Sequence, residues 1–189
     1  SEDEFLGFCQ KHILDGLPYI FKQSGNEEGY FLFRKKIADE FLITVKDVYI
    51  TGSAKLGFSF RKRTKFGFDS DIDVALVSNN LFEKYISLIN EFQLKLHYNK
   101  SLLNQKEHKD YYKFLRYTML GWIRPDLLPV SLQVGTSEVK NQWFQFFDSI
   151  SNGKSEVGNY RVSAGIFKSY EHLSSYTVIS LKNGISIKP

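Results

Sequence analysis

Acidic residues alternate along one stretch of the chain and lead directly into the apolar segment Val74–Val77: Asp69, Asp71 and Asp73. The segment Ile72–Val77 is a short apolar run typical of a buried strand. Placing carboxylates side by side at the start of such a strand costs several kcal/mol each unless a positive charge lies between them. The stretch therefore predicts a strand whose entrance binds a cation, and this requirement limits both the fold and the function.

Side chains two residues apart on a strand lie on the same face, about 7 Å apart. Asp71 and Asp73 would then project together, and two such carboxylates can bind two divalent cations about 3.5–4 Å apart. Hard oxygen ligands favour magnesium or manganese over zinc. A solvated strand entrance with incidental acids is the simpler explanation of the pair when it is taken alone.

A calcium-binding loop of the EF-hand type also begins with alternating acids, but this sequence does not fit it. Counted from Asp69, the sixth position should be Gly and is Val74, and the twelfth should be Glu and is Asn80. The acids therefore do not form such a loop.

A second short strand is predicted at Val48–Thr51, which is β-branched and aromatic, and Gly52-Ser53 follows it at once. A strand that ends in Gly-Ser and opens into a helix presents free backbone N–H groups, which bind phosphate oxygens. Gly52 has no Cβ, so a triphosphate can approach closely, and the Ser53 hydroxyl can donate to the same phosphates. An ordinary turn with a helix cap is the alternative.

Basic residues fill the connection between the Gly-Ser turn and the acids: Lys55, Arg61, Lys62, Arg63 and Lys65. The net charge of +4 and the pI near 9.0 are a mild excess and do not by themselves demand nucleic acid. Each basic residue alone is most simply a solvated charge. Their shared position beside the acids predicts that together they attract and position an anionic acceptor substrate.

The combination over Tyr49–Val77 resembles the nucleotidyltransferase superfamily typified by DNA polymerase β. It consists of a strand, Gly52-Ser53, a further Gly57, a basic connection and the motif Ser70-Asp-Ile-Asp73. The resemblance implies an α+β fold, with a small mixed sheet flanked by helices, two magnesium or manganese ions and a nucleoside triphosphate substrate. By the same resemblance Gly52 and Ser53 would hold the triphosphate, while Asp71 and Asp73 would bind the metal ions. Lys55, which could add a positive contact, and Gly57 are further candidates for nucleotide binding.

A third carboxylate from a later strand is usual in this superfamily, as a metal ligand and base. The later strand predicted here, Val130–Val134, contains no acid. Asp126 is the first candidate for this catalytic and metal-binding role, and Glu138 is the second. Alternatively, Asp126 is an acid in a loop that forms an ion pair with Arg124.

Helical spacing of apolar residues predicts helices around both predicted strands and again near the end of the chain. Their expected positions are 5–13, 33–42, 82–96, 112–122, 139–150 and 170–181. We expect residues 1–135 to form the nucleotidyltransferase core with its N-terminal helices. Residues 136–189 are expected to form a helical part packed on that core, within one compact unit.

The expected reaction is template-independent transfer of a nucleoside monophosphate to a hydroxyl acceptor, with release of pyrophosphate. The acceptor would be a nucleotide, an oligonucleotide end or a protein side chain, in a setting such as bacterial antiphage defence or nucleotide signalling. The alternatives are a weakly active or inactive nucleotide-binding module that acts through a partner effector or toxin protein, and a basic nucleic-acid-binding protein with incidental acids.

No membrane association is expected, because no apolar run is long enough to cross a bilayer and the segment Ser1–Phe5 is acidic. These features favour a cytoplasmic location. Cys9 is the only cysteine, which excludes an intramolecular disulfide and a cysteine-based zinc site.

Overall fold

Helices surround a small mixed sheet in this computed structural model, which describes residues 2–60, 62–99, 103–129 and 136–186. The helices are α1 (Glu2–Phe8), which continues as a π-helical segment (Cys9–Leu14), α2 (Tyr19–Ser24), α3 (Glu27–Phe41), α4 (Gly52–Leu56), α5 (Asn79–Tyr98), α6 (Gln105–Met119), α7 (Thr136–Ser149) and α8 (Tyr170–Ser186). Short 3-10 turns lie at Val45–Asp47 and Pro125–Leu127. Within the described ranges, no helix has the length and apolar character that a membrane span requires.

The main sheet has four strands in the order β1-β4-β6-β5. These strands are β1 (Val48–Thr51), β4 (Ile72–Val77), β5 (Trp122–Ile123) and β6 (Val162–Phe167), while β2 (Phe58–Ser59) and β3 (Thr64–Lys65) form a separate hairpin. β4 pairs antiparallel with β1 and parallel with β6. The end of β1 and the beginnings of β4 and β6 therefore meet at one edge of the sheet.

Polar side chains define where several of these helices begin. Asn26 accepts a hydrogen bond from the Gly29 N–H at 2.8 Å, and Ser78 accepts one from the Leu81 N–H at 3.2 Å. Asn104 caps α6 in a reciprocal arrangement with Glu107. Each cap satisfies an N–H group that the first helical turn leaves without a partner. The Ser78 cap starts α5 directly after β4.

The two faces of the sheet have different surroundings. Ile72, Val74 and Leu76 are buried in the main core, where α3, α5 and α7 also contribute side chains. Side chains alternate along a strand, so Asp73, Ala75 and Val77 lie on the opposite face. There the π-helical segment and α8 cover Ala75 with Leu14 and Leu173. Asp73 lies on this second face, at the sheet edge described above.

The α+β architecture with a small mixed sheet is confirmed, as are the two strands predicted at Val48–Thr51 and Ile72–Val77. The third strand predicted at Val130–Val134 lies outside the described residues. The later strand that the structure describes beside β4 is instead β6, which comes from the segment expected to be helical. A division at residue 135 would therefore separate β6 from the strand with which it pairs.

Trp122 was predicted to continue the helix that contains Met119, and this prediction was wrong. α6 ends at Met119, and Gly121 has a φ of +74°, a left-handed backbone that ends the helical path. Trp122 then lies in β5, where it pairs with Phe167 of β6. The turn at Gly121 brings the chain back to the sheet, with only two residues between the end of α6 and the start of β5.

Candidate active site

A cleft of about 850 Å³ opens at the sheet edge where β1 ends and β4 and β6 begin. Among the predicted site residues, Gly52, Ser53, Asp71, Asp73 and Asp126 line this cleft. The hairpin β2–β3 forms one wall, and α8 contributes residues from its middle to another wall. The cleft therefore gathers the turn, the acids and the basic connection that the sequence singles out.

Asp73 lies at the centre of this sheet edge and is in contact with both neighbouring strands. Its main-chain oxygen accepts a hydrogen bond from Thr51 Oγ1 at 3.3 Å, on the β1 side. Its Oδ1 accepts one from Ser163 Oγ at 3.1 Å, on the β6 side. Thr51 and Ser163 are also its partners in the sheet register. The carboxylate is thus fixed by the sheet itself.

Gly52 makes the closest approach to Asp73 from the β1 side. Its φ of +62° lies in the left-handed region, and a Cβ at this position would lie 2.7 Å from Asp73 Oδ2. A side chain at position 52 would be strained by its backbone and would also overlap the carboxylate. Glycine is required here because the turn after β1 lies directly against Asp73.

The pKa of Asp73 is raised, first because the protein around the carboxyl group reduces its hydration, although the side chain is open to the cleft. The hydrogen bond from Ser163 lowers the pKa, and the neighbouring Asp71 carboxylate raises it. Lys62 of the hairpin and Arg124 are also close enough to lower it. Without a bound cation the charge on Asp73 is therefore only partly compensated.

Asp71 precedes β4 and is exposed in the cleft, two residues before Asp73. Two neighbouring carboxylates and a cleft open to solvent fit a magnesium ion that arrives with phosphate oxygens, because magnesium is usually held by one or two carboxylates plus phosphates. Within the described residues, no group of three or more His, Cys, Asp or Glu side chains could hold a metal ion. The donor set fits a cation shared with a ligand better than a protein-only metal site.

Asp126 lies in the 3-10 turn after β5, and its carboxylate is paired with Arg124. Arg124 Nη2 donates to Asp126 Oδ2 at 2.7 Å, and Nε donates to Oδ1 at 3.2 Å. Both Asp126 oxygens therefore accept from the guanidinium, which is the alternative that the sequence left open. Glu138 lies in α7, and the placement of its side chain is outside what the structure describes.

Lys55 and Gly57 are not among the residues that line the described cleft. Lys55 is buried, and its Nζ donates to the main-chain oxygens of Asp15 and Gly16. Gly57 ends α4 with a φ of +82°, and a Cβ there would meet the Tyr19 ring at 2.9 Å. Both residues hold the Gly-Ser turn against its neighbours, and their predicted role in nucleotide binding stays a prediction.

α4 is a single short helix of five residues. Helix dipoles sum over aligned peptide units, so a helix of this length contributes little to anion binding. Phosphate binding near Gly52 would depend instead on the Ser53 hydroxyl and on charges such as Lys62, which also lines the cleft. The exposed lysines of the hairpin, Lys62 and Lys65, supply positive charge on this side.

Sequence reasoning did not identify Ser163 or the positive charge of Arg124 as parts of the site. Ser163 belongs to no recognisable motif, and the strand that contains it was not predicted from the sequence. Arg124 was noted only as a partner for Asp126. Pairing of β6 with β4 and of β5 with β6 brings both residues to the same edge as Asp73.

Comparison with protein-family models, with curated proteins and with solved structures found no match for this chain.

Burial lowers the pKa of the Lys55 ammonium from 10.5 to about 8, while Asp15 partly opposes this and Arg34 adds to it. The unfolded chain then binds more protons than the folded chain between these two pH values. Stability should therefore rise with pH in this window. Lys55→Met should remove this contribution and change the pH dependence of the free energy of unfolding by roughly 2 kcal/mol between pH 7 and 9.5.

Urea denaturation of the wild type and the variant at both pH values measures this difference. Lys84→Met, at an exposed lysine on α5, is the matched control and should keep the pH dependence of the wild type. Equal pH dependence in the two variants would contradict the assignment to Lys55.

Proposed function

We propose that this chain is a metal-dependent, template-independent nucleotidyltransferase. It transfers the nucleoside monophosphate of a ribo- or deoxyribonucleoside triphosphate to a hydroxyl acceptor and releases pyrophosphate. The observation that supports this most is the position of Gly52 against Asp73, on a left-handed backbone, with Ser53 and Asp71 in the same cleft. This arrangement leaves space for phosphates directly beside a pair of carboxylates.

In this proposal different residues of the cleft bind the phosphates and the cation. The Ser53 hydroxyl and the Lys62 ammonium contact the phosphates, and the carboxylates of Asp71 and Asp73 hold magnesium or manganese. When bound, the cation offsets the negative charge of the triphosphate and of the leaving pyrophosphate. Positioning and charge neutralisation are the main requirements of such a transfer.

The basic hairpin supports an anionic acceptor such as a nucleotide or an oligonucleotide end. Lys62, Arg63 and Lys65 are exposed on its turn and second strand. Contacts between lysines or arginines and phosphates weaken as salt increases. At saturating triphosphate, transfer to an oligonucleotide should therefore decline with salt more steeply than transfer to a small neutral alcohol. The roles in antiphage defence or nucleotide signalling remain part of the proposal and are not needed for this chemistry.

The direct test incubates the protein with each labelled nucleoside triphosphate and magnesium or manganese, and measures pyrophosphate release. Products are separated by gel and identified by mass, which also detects label on the protein. We expect release with at least one triphosphate and none when EDTA is present. Absence of pyrophosphate release with every triphosphate would reject the proposed transfer reaction.

A second candidate is a nucleotide-binding module with little or no turnover that acts through a partner protein. One observation favours it: Ser163 stands opposite Asp73 on the strand beside β4, where a third carboxylate would have to lie. This candidate predicts triphosphate binding without pyrophosphate release. The same incubation, combined with a binding titration, separates the two candidates.

A further inference from the structure

The two sides of Asp73 differ in the groups that they present. The strand order β1-β4-β6-β5 places Gly52 on one side of β4 and both Ser163 and Arg124 on the other. On the Gly52 side there is a backbone turn with no side chain. On the β6 side, the Ser163 hydroxyl donates to Asp73 Oδ1 at 3.1 Å, and a neutral hydroxyl offers a cation much less than a carboxylate would.

Arg124 provides a fixed positive charge on this second side. Its guanidinium is paired with both oxygens of Asp126 and lies 5.2 Å and 5.3 Å from the ring centroids of Trp122 and Tyr117. Its side chain is 27% exposed, so solvent screens the charge only in part. Arg124 lines the same cleft as Asp73 and Ser163. A guanidinium fixed by two hydrogen bonds and two rings has little freedom to move away.

We propose that the cleft takes one divalent cation, bound together with the triphosphate by Asp71 and Asp73, and that the Arg124 guanidinium occupies the role of a second cation on the Ser163 side. This inference rests on the proposed nucleotide binding and departs from the two ions that the sequence resemblance implies. A second ion about 4 Å from the first needs carboxylates that bridge both ions. Here it would meet a hydroxyl and an ion pair instead, because both oxygens of Asp126 already accept from the Arg124 guanidinium.

The number of bound ions tests this inference without any measurement of turnover. The full chain is saturated with a non-hydrolysable nucleoside triphosphate analogue, and bound manganese is counted by electron paramagnetic resonance. One manganese ion per chain is the expected result, and two would overturn the inference while leaving the proposed function intact. Absence of both analogue and manganese binding would reject the proposed function, and this inference with it.

A pair of variants tests the residues that limit the number of ions. Both carry Arg124→Gln and Asp126→Asn, which remove the ion pair and leave neutral side chains of similar size. To this background Ser163→Asp adds a carboxylate opposite Asp73, and Ser163→Asn adds the same shape without charge. We expect two manganese ions with Ser163→Asp and one with Ser163→Asn.

If the variant with Ser163→Asp also binds only one manganese ion, then Ser163 and the Arg124–Asp126 pair do not set the number of bound ions. Thermal unfolding of both variants checks that they are folded before ions are counted. The count in the wild type decides the inference even if the variants do not fold.

Discussion

Replacing Asp73 by asparagine is expected to lower pyrophosphate release by roughly 10²–10³-fold, the range seen when one electrostatic contact to a developing charge is removed. Asparagine keeps the size of the side chain and can still accept the Ser163 hydrogen bond. It removes the negative charge that would hold the cation beside Gly52. The measurement is the rate of magnesium-dependent pyrophosphate release at saturating triphosphate.

The same variant should be as stable as the wild type or more stable when no cation is present. The surrounding protein and the Asp71 carboxylate raise the pKa of Asp73, so its charged form is disfavoured in the folded chain at neutral pH. A neutral amide removes this cost, so the melting temperature of the variant should be equal to that of the wild type or higher. Lost activity would then not reflect unfolding.

Asp69→Asn is the matched control for Asp73→Asn. Asp69 is an exposed acid of the same stretch and also lines the cleft. It lies before β4 and faces solvent, so we expect turnover within about two-fold of the wild type. Full activity of Asp73→Asn, or an equal loss in the two variants, would contradict the role given to Asp73.

Replacing Gly52 by valine should abolish binding of the triphosphate and also destabilise the fold. Valine is strained at a φ of +62°, and its Cβ would lie 2.7 Å from Asp73 Oδ2. We expect the free energy of unfolding to fall by about 2–3 kcal/mol, since strained backbone conformations cost about 1–3 kcal/mol each. Urea denaturation measures the stability, and titration with the triphosphate analogue measures the affinity.

Gly67→Ala is the control for Gly52→Val, because Gly67 lines the same cleft but has open space where a Cβ would lie. Its backbone is not in the left-handed region, so alanine should fit without strain. We expect analogue affinity and stability close to those of the wild type. Unchanged analogue binding in Gly52→Val would show that the turn is not part of the binding site.

The part of the site that could be predicted from the sequence is local in the chain. Val48–Thr51 and Ile72–Val77 have clear strand compositions, and the Gly-Ser turn and the acids lie at their ends. Alternation along a strand is enough to place Asp73 on the face opposite Ile72. These elements span one antiparallel pair, so the sequence could indicate the turn, the acids and the basic connection together.

The other side of the site could not be predicted because β6 has a weak strand signature. Its sequence Val162-Ser-Ala-Gly-Ile-Phe167 includes Ser, Ala and Gly, which are not preferred in strands. Gly165 is explained by packing: a Cβ there would overlap the Trp122 indole of the neighbouring strand. The requirement for a small residue comes from the sheet, and no local pattern reveals it.

The sequence alone could not decide whether Asp126 is a metal-binding carboxylate or an ion-pair partner of Arg124. A pairing with Arg124 was one of two readings of the sequence, and the structure has this ion pair. What the sequence could not indicate is that the guanidinium also lies over the rings of Tyr117 and Trp122 and near Asp73. Those neighbours come from a helix, a strand and a distant part of the chain.

The hydrogen bond between Ser163 and Asp73 joins residues 90 positions apart. During synthesis, the ribosome must add all of this intervening chain, and Ser163 itself, before the second side of the cleft exists. Contacts between distant residues form slowly, because a long loop must close before they contribute any stability. A nascent chain that has reached only β4 therefore lacks the Ser163 hydroxyl that contacts Asp73, and this side of the cleft is complete only after β6 has emerged and paired with β4.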